Sequence, residues 1–252
     1  MAYSAFDQFE IIRIIPLHLF GNLDISITNS TIFMFIALIY LIVLYSVSGI
    51  KEGSLVPSRW QSVMEIIYET VFGVVEDNIG KDKESQAYFP WILTVFMFIV
   101  LMNLFGIIPY TFSPTAHIAV TFGLSLSIFI GVTLLGMVNH GSNYFSMFMP
   151  AGSPLILAPF MIVIELISHT AKAVSLGVRL AANITAGHIL FAILSGFTWT
   201  MLTSGGFMII ASLFPMAIVL FITIIEMAVA VIQAYVFSLL TAIYISESIH
   251  LH

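Results

Sequence analysis

Glu165 to His188 reads ELISHTAKAVSLGVRLAANITAGH. The stretch has the length and apolar background of a membrane helix, yet it carries Glu165, His169, Lys172, Arg179, Asn183 and His188. An arginine at the bilayer centre costs about 2.5–3.5 kcal/mol on insertion scales. Ionisable groups at that depth face a bundle interior or a water-filled cavity. The rest of the chain must therefore give these charges somewhere to point.

The whole chain supports a membrane reading. Of 252 residues, 60% are hydrophobic and only 8% charged, with a mean hydropathy of +1.10. A soluble domain has about 25% charged residues. The expected fold class is all-α: a polytopic membrane protein forming a single membrane domain over residues 1–252. A net charge of −6 excludes a nucleic-acid footprint. With no cysteine there is no disulfide framework, thiol nucleophile or cysteine metal site. The opening residues MAYSAFDQFEII lack a basic leader pattern.

Outward from the central stretch, the elements fall in order. Residues 1–28 are broken by Pro16, Gly21 and Asn22 and form an outer-side segment. Residues 29–49 are charge-free and long enough to span. Lys51, Arg59, Lys81 and Lys83 come next and mark the inner side; Arg13 dissents. Across 58–79, Trp60, Val63, Met64, Ile67, Val71, Val74 and Val75 share one helical face, opposite Glu65, Glu69, Glu76 and Asp77. This is an interfacial amphipathic helix. Its acidic polar face suits a protein partner, or simple packing, better than anionic lipid. Residues 89–108 and 118–138 form a transmembrane hairpin across Pro109–Pro114, and residues 141–154 an inner loop. Asn103 fits an interhelical hydrogen bond. His117 and His140 lie near span ends and carry no assigned role.

Residues 154–194 and 207–247 are each about 60 Å long as helices, twice the ~30 Å hydrocarbon core. They form a long, strongly tilted hairpin about Ser204-Gly205-Gly206. In an antiparallel hairpin, facing residues share a midpoint. The pairs His188–Glu226, Arg179–Gln233 and Glu165–Glu247 have midpoints at Gly206 or Phe207. One point resists: His188 comes nine residues after Arg179, about half a turn away on a straight helix. Either the helix curves or bulges, or the His188–Glu226 pair belongs to a different cavity.

Three polar levels result. His188 and Glu226 lie near the turn, Arg179, Asn183 and Gln233 in the middle, and Glu165, His169 and Glu247 at the inner end. Carboxylates and imidazoles pass protons near neutral pH. Arginine does not deprotonate. The levels therefore make two half-paths with a barrier between them. A partner carboxyl exposed to lipid is kept neutral by desolvation, which shifts its pKa by up to about 3–5 units. Facing arginine, it gains about 4 kcal/mol for ionisation at an effective dielectric of 20. The two effects are comparable and opposed, so such a group would switch. Structural alternatives stand beside this reading. His188–Glu226 could be a static hydrogen bond, Asn183 and Gln233 packing amides, and Glu165 and Glu247 ordinary helix-end charges. Lys172 reads as a snorkelling surface cation. His250 and His252 in the tail are exposed rather than metal ligands.

At these residues the chain closely resembles subunit a of the F-type ATP synthases, especially the mitochondrially encoded form. The carrying motifs are LGVRLAANITAGH (Leu176–His188), EMAVAVIQAYVFSLLTAIYI (Glu226–Ile245), LMNLFGIIPYTFSPTAH (Leu101–His117) and PAGSPLILAPFMIVIELISH (Pro150–His169). The resemblance implies a proton-translocating stator of the mitochondrial inner membrane, N-terminus in the intermembrane space and C-terminus toward the matrix. Arg179 would separate two half-channels and face the carboxylates of a c-ring of proteolipid subunits. His188 and Glu226 would line the half-channel from the intermembrane space. Glu165 and Glu247, with His169, would line the matrix side. Asn183 and Gln233 would support Arg179. Bacterial relatives commonly carry Glu then His at positions 188 and 226, which favours a mitochondrial origin and an acting pair. Helix 58–79 would meet the peripheral stalk; the other partners are further membrane subunits, lipid and protons. No cofactor or metal is implied. No P-loop is present, so nucleotide chemistry would occur elsewhere in the complex. A stand-alone proton-coupled transporter would predict inverted repeats and a midplane pocket. An assembly subunit without an ion path would tolerate loss of Arg179. Sodium is disfavoured because imidazole is a poor ligand for it.

Overall fold

A computed structural model describes residues 9–16, 18–19, 23–24, 26–49, 59–81, 83–108, 111–141, 144, 148 and 157–249. Lys51, most of the 141–154 loop and the tail with His250 and His252 lie outside the described residues. The architecture is all-α. Among the described residues, five helical segments are long and apolar enough to cross a membrane.

The chain folds as two compact units. The first takes the described parts of Met1–Ile50, Met97–His117 and Leu180–Ala234. It opens with two short antiparallel pairings, β1 (Arg13–Ile15) with β4 (Ile27–Thr28) and β2 (His18–Leu19) with β3 (Leu23–Asp24). These strands are absent from the sequence reading, because two or three residues are too few to show an alternating pattern. Asn29 ties them to α1 (Asn29–Gly49): its amide donates to Glu10 O at 3.0 Å, and its Oδ1 accepts from Ile12 N at 3.3 Å. Aromatic rings join α1 to the Met97–His117 segment, Tyr40 on Phe105 and Phe33 on Phe112. Asn103 is fully buried and donates to Ala230 O at 3.2 Å, an interhelical hydrogen bond of the expected kind. Thr185 donates to Ala116 O at 3.0 Å, fastening the turn Pro114–Ala116.

The second unit takes the described parts of Lys51–Phe96, Ile118–Arg179 and Tyr235–His252. It holds α2 (Arg59–Asn78), the first part of α3 (Lys83–Ile107) and all of α4 (Ile118–His140). Helix α2 forms where the amphipathic pattern places it, and the start of its apolar face is open: Trp60 and Val63 are 66% and 47% exposed. Only the later residues Val71, Val74, Val75 and Ile79 are buried, beside the cluster Tyr68, Phe72 and Phe89. The apolar stripe is continuous in sequence, but among the described residues it is its second half that is buried. Gly177 lets α5 (Ala158–Ser204) approach α4 closely. A β-carbon there would stand 3.0 Å from both Phe122 Cα and Thr121 O. Small residues at such crossings let membrane helices meet backbone to backbone. Near the C-terminal end of the chain, Ser248 donates to Val132 O at 3.2 Å, and His140 bonds Ile249 O at 3.0 Å.

Helix α5 spans 47 residues, about 70 Å, and runs ten residues past the expected end at Leu194. Ser195 and Gly196 do not stop it, since the Ser195 hydroxyl bonds back to Ala192 O within the helix. The stop comes at Gly205 and Gly206, whose φ values of 72° and 62° suit glycine. The return strand of the hairpin is split into α6 (Phe207–Ala211) and α7 (Leu213–Ile249). Pro215 explains the joint. It has no N–H for the Ala211 carbonyl, and its ring crowds that carbonyl.

Candidate functional site

The polar residues of α5 and α7 sort into one cluster in each unit, with Arg179 standing apart. In the first unit, α7 brings Glu226 against α5 at Gly187, the residue before His188. A β-carbon at Gly187 would run into the Glu226 carboxylate. The His188 imidazole lies over Gly106 of α3, with Nε2 3.6 Å from where a β-carbon of that glycine would sit. Phe9 meets the His188 ring edge-on at 5.6 Å. His188 Nε2 and Glu226 Oε1 are buried and find no hydrogen-bond partner of ordinary length among the described residues. Two buried proton carriers with unsatisfied atoms, on facing helices, suit relay through water better than static packing.

Gly187 was not singled out from the sequence. The signal was its place beside His188, where only a residue without a side chain leaves room for a facing carboxylate. Replacing Gly187 with alanine is expected to preserve folding, because the obstructing atoms belong to the flexible end of Glu226. The displaced carboxylate should lower proton-driven turnover about tenfold, short of the ~10²–10⁴-fold that outright loss of a positioned acid–base group costs. Rate against assembled complex in membrane vesicles checks this.

In the second unit, His169 is 5% exposed and enclosed by Phe129, Phe148 and Tyr244 at 5.1, 6.2 and 6.3 Å. Its Nε2 is buried without a hydrogen-bond partner among the described residues. The charges of Glu165 and Glu247 both reach His169, and Glu247 pairs with Lys172, whose Nζ lies 3.4 Å from Glu247 Oε1 and 5.9 Å from the centre of the Tyr244 ring. Lys172 is therefore not a bare snorkelling cation. It sits three residues after His169 and seven after Glu165 on one helix face. That spacing was visible in the sequence. Tyr144, in the segment after α4, packs near this end. Burial pushes its phenol above the usual range, and the charge of Glu247 does so too, against a hydrogen bond with Thr133.

Arg179 is exposed and makes no hydrogen bond or ion pair among the described residues. Its exposed neighbours are Ser175 and Val178. Asn183 is half-buried and Gln233 is 7% exposed, its Nε2 without a partner; both belong to the first unit, Arg179 to the second. No cluster of three or more potential metal ligands occurs among the described residues.

Comparisons with known proteins agree with one another. A family profile described as ATP synthase A chain matches residues 30–246. ATP synthase subunit a of Marchantia polymorpha is 46% identical over 253 residues, covering all of both chains. That of Metridium senile is 48% identical over 252 residues, again covering both completely. A bacterial relative, ATP synthase subunit a of Paramagnetospirillum magneticum, is 41% identical over 249 residues and 98% of each chain.

Proposed function

Because this chain belongs to the ATP synthase A chain family, we propose that its two polar clusters are the half-channels of a proton-translocating stator and that Arg179 divides them. The family is that of the membrane stator subunit of an enzyme complex, and the chain works beside other subunits of that complex. The finer reading concerns the rotor. Arg179 faces a ring of proteolipid subunits and meets each ring carboxylate in turn. His188 and Glu226 serve the outer half-channel, and Glu165 and His169 the inner one. The setting is the mitochondrial inner membrane, with the N-terminus in the intermembrane space. The open apolar half of α2 meets the peripheral stalk.

One observation carries this reading: Arg179 is exposed on a membrane helix and makes no hydrogen bond or ion pair among the described residues, its charge reaching the Tyr244 phenol. A guanidinium turned toward hydrocarbon is costly. Paired with an approaching carboxylate, the same group becomes favourable, since charge-assisted contacts strengthen where water is excluded. The clusters lie before and after Arg179 along α5, so a proton passing from one to the other has to be carried past a group that cannot release its own.

The chain has no cysteine, which makes the exposed face easy to map. Single cysteines at Ser175 and Ala182, both exposed, should cross-link to a cysteine placed near the rotor carboxyl. Cysteines at Leu176 and Ile184, 2% and 1% exposed, should not. Equal yields at exposed and buried positions, or links to non-rotor subunits alone, would overturn the rotor assignment.

A further inference from the structure

We infer that Lys172 is a positioning residue, which holds Glu247 as a fixed counter-charge and leaves Glu165 as the inner carboxylate that exchanges protons. The inference rests on the half-channel reading and separates two acidic groups that the sequence treats alike.

The geometry distinguishes them. Glu165, His169 and Lys172 succeed one another at spacings of four and three, on one face of α5. Tyr244 and Glu247, spaced by three, share a face of α7. Lys172 reaches across to Glu247 at 3.4 Å and covers the Tyr244 ring. Glu165 is half-buried and has no ion pair or hydrogen bond among the described residues. Between them stands His169, which the charges of Lys172, Glu247 and Glu165 all reach. Among the described residues, the other titratable groups at this end are Tyr144, which feels Glu247, Arg179, whose charge reaches Tyr244, and His140, which is bonded to Ile249 O.

A carboxylate bound to an ammonium keeps its charge, while a proton carrier needs two protonation states of similar free energy. Among the described residues, Glu247 is bound in this way and Glu165 is not. Two free carboxylates at one site would also titrate as a coupled pair, each suppressing the other. By pairing with Glu247, Lys172 leaves Glu165 as the inner carboxylate without a fixed counter-charge among the described residues. In the synthesis direction, Glu165 accepts a proton arriving from the rotor, becomes a neutral acid, and returns to carboxylate when the proton passes to water on the inner side. Lys172 and Glu247 keep their protonation throughout.

The test uses the assembled complex in membrane vesicles, with ATP synthesis driven by an imposed proton gradient. Lys172→Gln leaves Glu247 free to compete with Glu165. Glu247→Gln leaves an ammonium free to capture Glu165. Each should lower the rate about five- to tenfold, and the double variant should recover at least about half of the loss, the signature of a coupled pair. Lys172→Arg keeps the pair and should stay within about twofold of the parent. Glu165→Gln should lower the rate at least about tenfold, and adding Lys172→Gln should not recover it. ATP hydrolysis by the same preparations reports assembly. Additive losses in the double variant, or Glu165→Gln within twofold of the parent, would overturn the inference. Synthesis surviving in Arg179→Ala would instead overturn the half-channel reading beneath it.

Discussion

Replacing Arg179 with alanine is expected to abolish proton-driven ATP synthesis while the complex still assembles and hydrolyses ATP. The argument is one of competing free energies. A rotor carboxyl moving through lipid is held neutral by desolvation, worth up to about 3–5 pKa units. At about 4 Å and an effective dielectric of 20, a guanidinium returns about 4 kcal/mol, or about three units. Removing it leaves the carboxyl protonated through the whole circuit, and release falls by about three decades. Folding should be little affected, because Arg179 is exposed and makes no hydrogen bond or ion pair among the described residues. Arg179→Lys retains a charge but loses the planar fork and can itself deprotonate. It should also fail to sustain synthesis, which separates a fixed barrier from a mere cation. The measurements are gradient-driven synthesis and nucleotide-free proton leak in vesicles. Synthesis within twofold of the parent would sink the role given to Arg179.

Much of the fold was legible because membrane insertion demands long apolar runs. Asn29–Gly49 carries no charge, so no other reading was open for α1. The hairpin turn was legible because Gly205 and Gly206 adopt a conformation other residues avoid. What sequence hid was which surfaces find partners. Trp60, Val63 and Val71 look equivalent on a helical wheel, yet only Val71 is buried, since burial depends on what the rest of the chain places opposite. The site shows the same division. That Glu226 would come against α5 beside His188, at Gly187, was implied by the hairpin midpoint. That Glu247 would pair with Lys172 was not, because a midpoint takes no notice of side-chain length. A lysine reaches several ångströms along its helix to find a carboxylate, and opposite charge selects the pair. Gly187 escaped notice for the converse reason: its contribution is the space that lets the Glu226 carboxylate approach α5.

That space bears on an exchange of the outer pair. His188→Ala and Glu226→Ala should each reduce proton-driven synthesis about a hundredfold, the usual range for loss of a positioned acid–base group. Placing glutamate at 188 and histidine at 226 together should recover at least about tenfold over either single loss, because a carboxylate and an imidazole pass a proton in either order. A static hydrogen bond predicts otherwise. Its value depends on which helix carries the long flexible side chain and which the ring, and Phe9 is fitted to a ring at position 188. The exchanged histidine at 226 would occupy the room that Gly187 now leaves to a carboxylate. Adding Gly187→Ala to the exchanged pair should therefore cancel the recovery, although in the parent it only displaces a flexible carboxylate. If the exchange is no better than the worse single variant, in complexes assembled to the same level, the two residues act separately and the relay is wrong. Recovery that Gly187→Ala does not cancel would keep the relay but move its path away from the Gly187 side of α5.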